Sequence, residues 1–296
     1  MENRREFIKK AGLLSLGAAF FSPYAEASKV KKFGIQLYSL RDTIAKDTKN
    51  ILTQLASYGY KELESYGVDS GKFHGFAPAE FKKMVDDLGM KVVSAHASWT
   101  RQQDKDVKDG IDVFAPKWKS SVEAAAHAGL KYINVPWTEG HFRKSVDDFK
   151  ACAEALNKLG EYTVSQGLKF NYHNHAFEFD AIDGVEMMDV LLKECDPKYV
   201  NFEFDLYWVV FAGKDPVTYF EKYPGRFPQW HVKDMNKNKK EENADVGSGS
   251  IDFARLFKSA KKAGTKSFFV EHETNYNPDP ITSAKNSAAY LKSLTY

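Results

Sequence analysis

Short apolar segments recur along the chain from Lys32 onward, at a spacing of roughly thirty residues. Eight of them have the length and the β-branched or aromatic content of buried strands. We predict strands at residues 33–39, 61–66, 91–98, 131–137, 168–175, 200–207, 227–234 and 267–273. Helical stretches separate these segments, so the pattern indicates a series of strand–helix units.

The stretches between the strands have the periodicity of amphipathic helices. The clearest is residues 251–264, where five apolar side chains share one face and Gly264 follows as a stop signal. A glycine also precedes the second, third, fourth, fifth and eighth strands, at the position where a helix usually ends. Eight such units predict one closed parallel (β/α)₈ barrel, a TIM barrel. A doubly wound open sheet is the alternative, and the sequence lacks the glycine-rich phosphate loop that would favour it.

The composition is that of a folded globular chain, since 43% of the residues are hydrophobic and 28% are charged. A formal net charge of +2 gives no basic surface of the kind that binds nucleic acid, so nucleic acid is excluded as a predicted partner. The two cysteines, Cys152 and Cys195, both fall in helical patterns, and we expect buried thiols rather than a disulfide.

The first 27 residues have the pattern of an export signal. Arg4 and Arg5 precede an apolar run at residues 11–21, and Ala27 closes a small-residue cleavage site. The paired arginines are similar to a bacterial twin-arginine signal. We predict that residues 1–27 are removed and that residues 28–296 form a single barrel domain in the periplasm, without a stable membrane anchor. An amphipathic first helix is the alternative.

Polar side chains gather where the predicted strands end. In a parallel barrel the carboxyl ends of all strands meet at one face, and that face carries the active site. A lone polar residue there is weak evidence, but here most strands contribute one. We predict substrate contacts at Gln36, Tyr38, Arg41, Glu64, His96, Trp137 and Trp208.

Four strand ends supply residue types that bind a divalent metal. They are His173, Asp205, His231 and Glu271, from the fifth to the eighth strand. Unpaired carboxylates and imidazoles at a barrel mouth are costly to desolvate, and a bound cation removes that cost. Two nitrogen and two oxygen donors suit one Mn²⁺, Co²⁺, Zn²⁺ or Fe²⁺ ion better than Ca²⁺. The alternative is an ion-pair and hydrogen-bond network without a metal.

Six segments, in order along the chain, resemble one protein family. They read GIQLYSLRD, YHNHAFEF, FEFDLYWV, WHVKD, VGSGSIDF and FFVEHE. Together they resemble the sugar phosphate isomerase/epimerase family of xylose-isomerase-like TIM barrels, which is related to ketose 3-epimerases, inosose dehydratase, endonuclease IV and 3-keto-glycoside lyases. The resemblance implies a metal held by Glu, Asp, His and Glu from strands five to eight. Asp205, His231 and Glu271 match the last three of these ligands.

The fifth strand departs from the family pattern. Its segment LKFNYHNHAFEF places His173 where the family usually has a glutamate, with Glu178 as the alternative ligand. In the isomerases and epimerases of the family, that glutamate and the strand-eight glutamate exchange a proton with the substrate. A metal-bound imidazole has no free lone pair for this role. Isomerisation and epimerisation therefore become the second choice.

The chemistry that remains needs one base, one metal-stabilised enolate and one acid. β-Elimination on a keto-sugar, such as a 3-keto-glycoside, meets these needs. We predict that Glu271 or His175 takes the proton and that Lys233 or Glu178 helps the aglycone to leave. Because phosphorylated sugars belong in the cytoplasm, the export signal favours a neutral carbohydrate substrate.

Two other classes of function stay open at this point. A periplasmic carbohydrate-binding protein on an inactive enzyme barrel would show no turnover. A metal phosphodiesterase of the endonuclease type would need further ligands and a basic surface, against which the charge of +2 argues. Barrels of this kind often pair, so a homodimer is a candidate assembly.

Overall fold

Eight parallel strands form the wall of a barrel in the computed structural model. The strands are β1 (Gly34–Gln36), β2 (Glu62–Ser65), β3 (Lys91–Ala95), β4 (Tyr132–Val135), β5 (Lys169–His173), β6 (Val200–Asp205), β7 (Gln229–Val232) and β8 (Ser267–Val270). Each lies inside a strand predicted from the sequence and is shorter at its carboxyl end. The structure describes residues 28–68, 71–99, 115–138, 140 and 143–296, so the predicted signal segment lies outside the described residues.

The strand order around the sheet is β3-β2-β1-β8-β7-β6-β5-β4, and all neighbours in this order are parallel. The two edge strands, β3 and β4, come together where His96 and Asn134 form a parallel bridge. The N–H of Ala97 donates to the carbonyl of Asn134 at 3.0 Å, and the N–H of Lys131 donates to the carbonyl of Val93 at 3.0 Å. The barrel is therefore nearly closed, and the predicted (β/α)₈ fold is confirmed.

Helices follow the strands and cover the outside of the barrel. They are α1 (Thr48–Tyr58), α2 (Pro78–Asp87), α3 (Ala115–His127), α4 (Val146–Ser165), α5 (Met187–Glu194), α6 (Leu206–Phe211), α7 (Pro216–Lys222), α8 (Phe253–Lys258), α9 (Ala260–Ala263) and α10 (Pro280–Ser293). Short 3₁₀ helices, Leu37–Leu40 and Phe177–Phe179, follow β1 and β5. The helix predicted at residues 251–264 is divided into α8 and α9, and Gly264 ends α9 with a φ of 87°, which glycine adopts without strain.

Alternation along the strands separates an apolar outside from a polar inside. In β6, Phe202 and Phe204 face outward, and the ring of Phe204 packs against Phe220 of α7 with 5.6 Å between centroids. Burial of each ring stabilises the fold by roughly 1.5–3 kcal/mol. Glu203 and Asp205, on the opposite face of the same strand, are buried inside the barrel. The barrel interior thus holds polar side chains that must satisfy one another.

The loop after β7 is built around the carboxylate of Asp234. This carboxylate accepts hydrogen bonds from the backbone N–H groups of Met235, Gly247, Gly249 and Ile251, at 2.8–3.1 Å. A Cβ atom on Gly249 would collide with Asp234 and with the carbonyl of Met235, so the loop needs glycine at that position. The arrangement keeps the loop folded at the carboxyl end of β7.

Both cysteines are free and buried, Cys152 in α4 and Cys195 at the end of α5, as predicted. Burial raises the pKa of Cys152 to about 12, so it is an unreactive thiol. None of the helices in the described part of the chain has the length and apolar character needed to cross a bilayer.

Candidate active site

The four predicted metal ligands meet at the carboxyl end of the barrel. One ligand atom from each of His173, Asp205, His231 and Glu271 lies within 4.8 Å of the others, and all four residues are buried. Asp205 Oδ2 is 3.9 Å from both His173 Nε2 and His231 Nδ1. His231 Nδ1 is 3.0 Å from Glu271 Oε2. We call these four residues the Asp205 group; four neighbouring strands, β5 to β8, carry them.

Asp205 is held in place from two sides. Its Oδ1 accepts a hydrogen bond from the N–H of Trp208 at 3.1 Å and so caps α6. Its own N–H donates to Oδ1 of Asn174 at 3.1 Å, which ties the ends of β5 and β6 together. The remaining oxygen, Oδ2, is buried and has no hydrogen-bond partner among the described residues. Burial raises the pKa of Asp205 to about 7.

The Asp205 group is suited to hold one divalent cation. A buried carboxylate oxygen without a partner costs about 1–3 kcal/mol, and a cation bound to Asp205 Oδ2 would remove that cost. Two imidazole nitrogens and two carboxylate oxygens form a donor set that Mn²⁺, Co²⁺, Zn²⁺ and Fe²⁺ accept. The residues present therefore fit the predicted metal.

A layer of carboxylates beneath this group approaches the other nitrogens of both imidazoles. His231 Nε2 lies 2.7 Å from Glu64 Oε1, and His173 Nδ1 lies 3.4 Å from Glu203 Oε2. An imidazole that donates one N–H to a carboxylate presents the lone pair of its other nitrogen to a metal. Glu64 thus orients His231 so that its Nδ1 faces Glu271 and Asp205, whereas Nδ1 of His173 makes no hydrogen bond among the described residues.

The two imidazoles also belong to a deeper candidate group with His96 and Glu203. His96 Nε2 lies 2.6 Å from Glu203 and 3.3 Å from Glu64. Burial opposes protonation of His96, but Glu64 and Glu203 outweigh it and raise the pKa of His96 to about 10. Because the imidazolium of His96 already neutralises the deeper group, we assign the cation site to the Asp205 group.

A cavity of about 350 Å³ opens at the mouth of the barrel. Its wall consists of Tyr38, Tyr66, Gly67, His96, Ser98, Pro136, Trp137, His173, His175, Glu271 and Glu273. The cavity has the size of a small-molecule site. Because His173 and Glu271 belong both to this wall and to the Asp205 group, a ligand in the cavity would lie beside the candidate metal.

Three of the seven predicted substrate contacts, Tyr38, His96 and Trp137, line this cavity. Gln36 and Glu64 do not, and both are fully buried beneath it. There Gln36 Nε2 donates to Glu64 Oε1 at 2.8 Å. The prediction of direct substrate contact is corrected for these two residues. They face inward, as expected, but from positions too deep in the barrel.

Arg41 and Trp208, also predicted to bind substrate, stand behind the wall of the cavity. The guanidinium of Arg41 donates to the carbonyl oxygens of Tyr38 and Glu273 at 3.2 and 2.8 Å. The ring of Trp208 packs against His175, with 5.5 Å between centroids. Both residues hold wall residues in position.

Two of the predicted catalytic residues, Glu271 and His175, line the cavity. Nδ1 of His175 is buried and has no hydrogen-bond partner among the described residues. Burial, with the nearby charge of Lys233, lowers the pKa of His175 to about 3, so its imidazole is neutral. Burial opposes ionisation of Glu271, but Lys233 and His231 outweigh it and hold the pKa of Glu271 well below its usual range. Each residue therefore offers a lone pair to a proton.

Lys233 is buried just after β7 and is absent from the cavity wall. Its Nζ lies 2.9 Å from Glu273 Oε2 and 3.4 Å from Glu271 Oε2. The ammonium group thus holds two wall carboxylates. Any proton that it gives to a ligand would pass through one of these two carboxylates, of which Glu273 is the nearer.

Glu178 lies away from the cavity, in the 3₁₀ helix after β5. Its two oxygens accept hydrogen bonds from the hydroxyl of Tyr172 at 2.5 Å and from the N–H of His175 at 2.9 Å. It belongs to neither candidate metal group of the described residues. The structure therefore contradicts Glu178 as the alternative ligand or as an acid in contact with substrate. The chain leaves the extended conformation after His173, which turns Glu178 toward Tyr172.

Three residues of the site received no role from the sequence. Glu203 lies beneath the Asp205 group, and Tyr66 and Glu273 line the cavity. Glu203 could have been found in the sequence because it lies two residues before Asp205, which places both side chains on one face of the strand. Tyr66 and Glu273 could have been found because each comes shortly after a strand of the barrel, at the face that carries the active site.

The chain belongs to the xylose isomerase-like TIM barrel family, whose model matches residues 52–294. Inosose dehydratase of Clostridium beijerinckii is 26% identical over 193 residues; the match covers 59% of this chain and 64% of that protein, which is less than two thirds of its length. A solved structure of a sugar phosphate isomerase/epimerase from Parabacteroides distasonis is 33% identical, with a TM-score of 0.78, and the alignment covers 91% of this chain and 96% of that one.

Two further solved structures share the fold. The 3-keto-D-glucoside 4-epimerase of E. coli is 20% identical, with a TM-score of 0.66, and the alignment covers 89% of this chain and 99% of that one. The protein IOLI, solved with a bound zinc atom, is 14% identical, with a TM-score of 0.71, and the alignment covers 88% of this chain and 98% of that one. The inosose dehydratase, the sugar phosphate isomerase/epimerase and the 3-keto-D-glucoside 4-epimerase are carbohydrate-processing enzymes by name, and one barrel of the same fold was solved with a zinc atom.

Proposed function

We propose that this chain is a divalent-metal-dependent enzyme that removes a proton next to the carbonyl of a keto-sugar, with β-elimination from a 3-keto-glycoside as its leading reaction. Isomerisation or epimerisation of a free sugar is the second candidate. The observation that carries the proposal is the Asp205 group, in which four donors from four strands meet beside a cavity. The names of two related proteins, an inosose dehydratase and a 3-keto-D-glucoside 4-epimerase, support a keto-sugar substrate.

The cation would stabilise charge on the substrate, and side chains of the protein would transfer the protons. A divalent cation held by the Asp205 group would act as a Lewis acid that stabilises negative charge next to the carbonyl. The proton transfers belong to the protein. His175 is our candidate base, because its imidazole is neutral and its ring lines the cavity between Trp137 and Trp208.

The elimination balances without a further reactant. The C2–H bond of the sugar breaks, and its proton goes to His175. The electron pair of that bond forms a double bond between C1 and C2, while the bond from C1 to the aglycone oxygen breaks. The aglycone oxygen takes a proton from the ammonium group of Lys233, passed through the carboxylate of Glu273 at 2.9 Å, or from water. The products are the free aglycone and an unsaturated keto-sugar.

The strand-five side chains favour elimination over isomerisation. A proton shuttle between two glutamates would need a strand-five carboxylate that faces Glu271. The strand-five residue of the Asp205 group is His173, and Glu178 is turned away and bonded to Tyr172. A reaction that needs only one base at the substrate carbon suits this arrangement better.

The surroundings of the cavity favour an uncharged sugar. Four cationic side chains of the described residues stand near it, and each already has a partner. The imidazolium of His96 is paired with Glu64 and Glu203. Lys233 is paired with Glu273, Arg41 donates to backbone carbonyls, and Arg143 donates to the carbonyl of Thr138 at 2.7 Å. A phosphate group would call for a free cation or an exposed row of N–H groups.

The test is turnover of two kinds of substrate by metal-loaded protein. We expect release of 4-nitrophenol from 4-nitrophenyl 3-keto-glucoside, and loss of that release after chelation of the metal. Free ketoses incubated in D₂O test the second candidate, since an isomerase or epimerase would incorporate deuterium and form a new sugar. Asp205→Asn should abolish turnover of either kind. Metal-replete protein that turns over neither substrate would contradict the proposal and favour a binding protein.

We also propose that the protein acts in the periplasm. Support comes from the paired arginines, the apolar run and the small-residue cleavage site within residues 1–27. Cell fractionation tests this directly. We expect the shortened protein in the periplasmic fraction, and retention in the cytoplasm when Arg4 and Arg5 are both changed to lysine. Equal distribution of the two forms would contradict export by this signal.

A further inference from the structure

Two aromatic side chains at the mouth of the cavity are unusually exposed. Tyr38 is 40% exposed and Trp137 is 44% exposed. Among the described residues, the other large hydrophobic side chains with comparable exposure are two valines, Val164 and Val185, and neither lines the cavity. Both exposed aromatic rings therefore line the same cavity, and we call this pair, Tyr38 and Trp137, the aromatic rim.

An arginine fixes the first ring of the rim. The guanidinium carbon of Arg41 lies 4.7 Å from the centre of the Tyr38 ring. The same guanidinium donates to the carbonyl of Tyr38 and to the carbonyl of Glu273, after β8. The edge of the Tyr38 ring is supported by Tyr66, in a T-shaped contact with 5.3 Å between centroids. Tyr38 is therefore exposed to solvent and yet held on two sides.

A second arginine fixes the other ring in the same way. The guanidinium carbon of Arg143 lies 3.9 Å from the centre of the Trp137 ring and 3.6 Å from that of Phe177. Its Nε donates to the carbonyl of Thr138 at 2.7 Å. His175 meets the Trp137 ring edge-on, with 4.9 Å between centroids. Trp137 is thus clamped between the loops that follow β4 and β5.

Holding two aromatic rings in an exposed position costs free energy, and a ligand that stacks on the rings would offset that cost. Exposed aromatic surface is unfavourable in water, and the cationic contacts keep the rings from folding away. A rigid apolar plane loses little conformational entropy when a flat group stacks on it. Tyr38 and Trp137 are the exposed part of the cavity wall, whereas His173 and Glu271 of the Asp205 group are buried, so a ring stacked on the rim would lie farther out than a ring bound at the Asp205 group.

We propose that the aromatic rim is a binding subsite for the aglycone, so that the substrate is a glycoside with a second flat ring rather than a free monosaccharide. The inference rests on the proposed function in taking the first sugar ring to lie against the Asp205 group. The second ring is an aromatic aglycone or another sugar, because both present a flat apolar face. It carries no phosphate, since Arg41 and Arg143 are already bonded to carbonyls.

The test is calorimetric binding of unreactive ligands to metal-loaded protein. Phenyl β-D-glucoside and methyl β-D-glucoside share the sugar ring and differ in the flat aglycone. We expect the phenyl glycoside to bind about tenfold more tightly, which is the size of one aromatic contact. Tyr38→Ala and Trp137→Ala should each reduce this ratio toward one, while Trp137→Phe should retain most of it.

Tyr199→Ala is the matched control. Tyr199 is half-buried before β6, at the opposite end of the barrel, and its ring also lies under a cation, with Lys198 Nζ 4.8 Å from its centre. This variant should keep the wild-type ratio. Equal binding of the two glycosides, no measurable binding of the phenyl glycoside, or an unchanged ratio in folded rim variants would each overturn the inference. Because binding is measured without turnover, its result is separate from that of the elimination assay.

Discussion

The Nε2 atom of His231 lies 2.7 Å from a carboxylate oxygen of Glu64, a residue 167 positions earlier in the chain. The other ring nitrogen, Nδ1, faces Glu271 and Asp205. A carboxylate behind a histidine fixes which nitrogen carries the proton and which is free to bind a metal. Glu64 therefore belongs to the candidate metal site although it touches neither the cavity nor the proposed ion.

Replacement of Glu64 tests this relationship. We expect Glu64→Gln to weaken metal binding by roughly 10–100-fold, because an amide no longer favours a proton on His231 Nε2. Titration calorimetry with Mn²⁺ or Zn²⁺ measures the change. Lys32 pairs with Glu62 at the other end of β2, so Glu62→Gln serves as a control that should bind metal as the wild type does. Unchanged affinity in folded Glu64→Gln would contradict the role of Glu64.

Metal affinity should depend on pH in a defined direction. Burial raises the pKa of Asp205 to about 7, so a proton competes with the cation for Asp205 below that pH. Burial opposes protonation of His231, but Glu203 and Glu271 outweigh it and raise the pKa of His231 well above its usual value, so the cation displaces a proton there too. Affinity should therefore rise with pH through 7, by up to about tenfold per unit for each proton displaced. Calorimetry between pH 6 and pH 8 at constant ionic strength measures this slope.

Glu178 provides a control for that measurement. Burial also raises the pKa of Glu178 to about 7, but its oxygens bond to Tyr172 and His175. Glu178→Gln should therefore keep the pH slope of metal binding. A slope that disappears in this variant, or an affinity that increases toward acid in the wild type, would show that another group governs binding.

Replacement of His175 should separate catalysis from metal binding. We expect His175→Ala to lower kcat by roughly 10²–10⁴-fold, the usual contribution of a general base, with the metal content unchanged. The exposed His127, at the end of α3, is a matched control, and His127→Ala should retain full activity. If His175→Ala keeps its activity, the base is another group, and Glu271 becomes the leading candidate.

The loop around Asp234 predicts a stability effect at a single glycine. A Cβ on Gly249 would collide with the carboxylate of Asp234 and the carbonyl of Met235. We expect Gly249→Ala to lower the free energy of unfolding by about 1–3 kcal/mol, measured in urea. Gly140, whose Cβ would meet open space, is the control, and Gly140→Ala should have little effect. Equal stability of the two variants would show that the loop adjusts without strain.

The strands and the polar face of the barrel could be predicted because both depend on local periodicity. The spacing of two between Glu203 and Asp205 puts both inside the barrel. The glycines before the strands mark helix ends, as the left-handed conformation of Gly264 shows. These signals lie within a few residues of each other in the sequence.

Depth in the barrel could not be predicted in this way. Glu64 and Asp205 both face inward, but only the pairing of strands determines that Glu64 lies beneath the cavity. The turn that carries Glu178 toward Tyr172 likewise depends on tertiary packing, since a strand continued past His173 would have pointed elsewhere. Residue type and the alternation along each strand therefore identified which side chains face the inside of the barrel. The pairing of the strands in three dimensions determined which of these side chains reach the cavity and which lie beneath it.

The most direct test of the account is the metal content of purified, metal-loaded protein, measured by mass spectrometry for the wild type and for Asp205→Asn. We predict about one divalent ion per chain in the wild type and almost none in the variant. The reason is that Asp205 Oδ2, a buried carboxylate oxygen with no hydrogen-bond partner among the described residues, would be a ligand of the ion. A wild type that retains no ion, or a folded variant that retains as much as the wild type, would contradict the central claim.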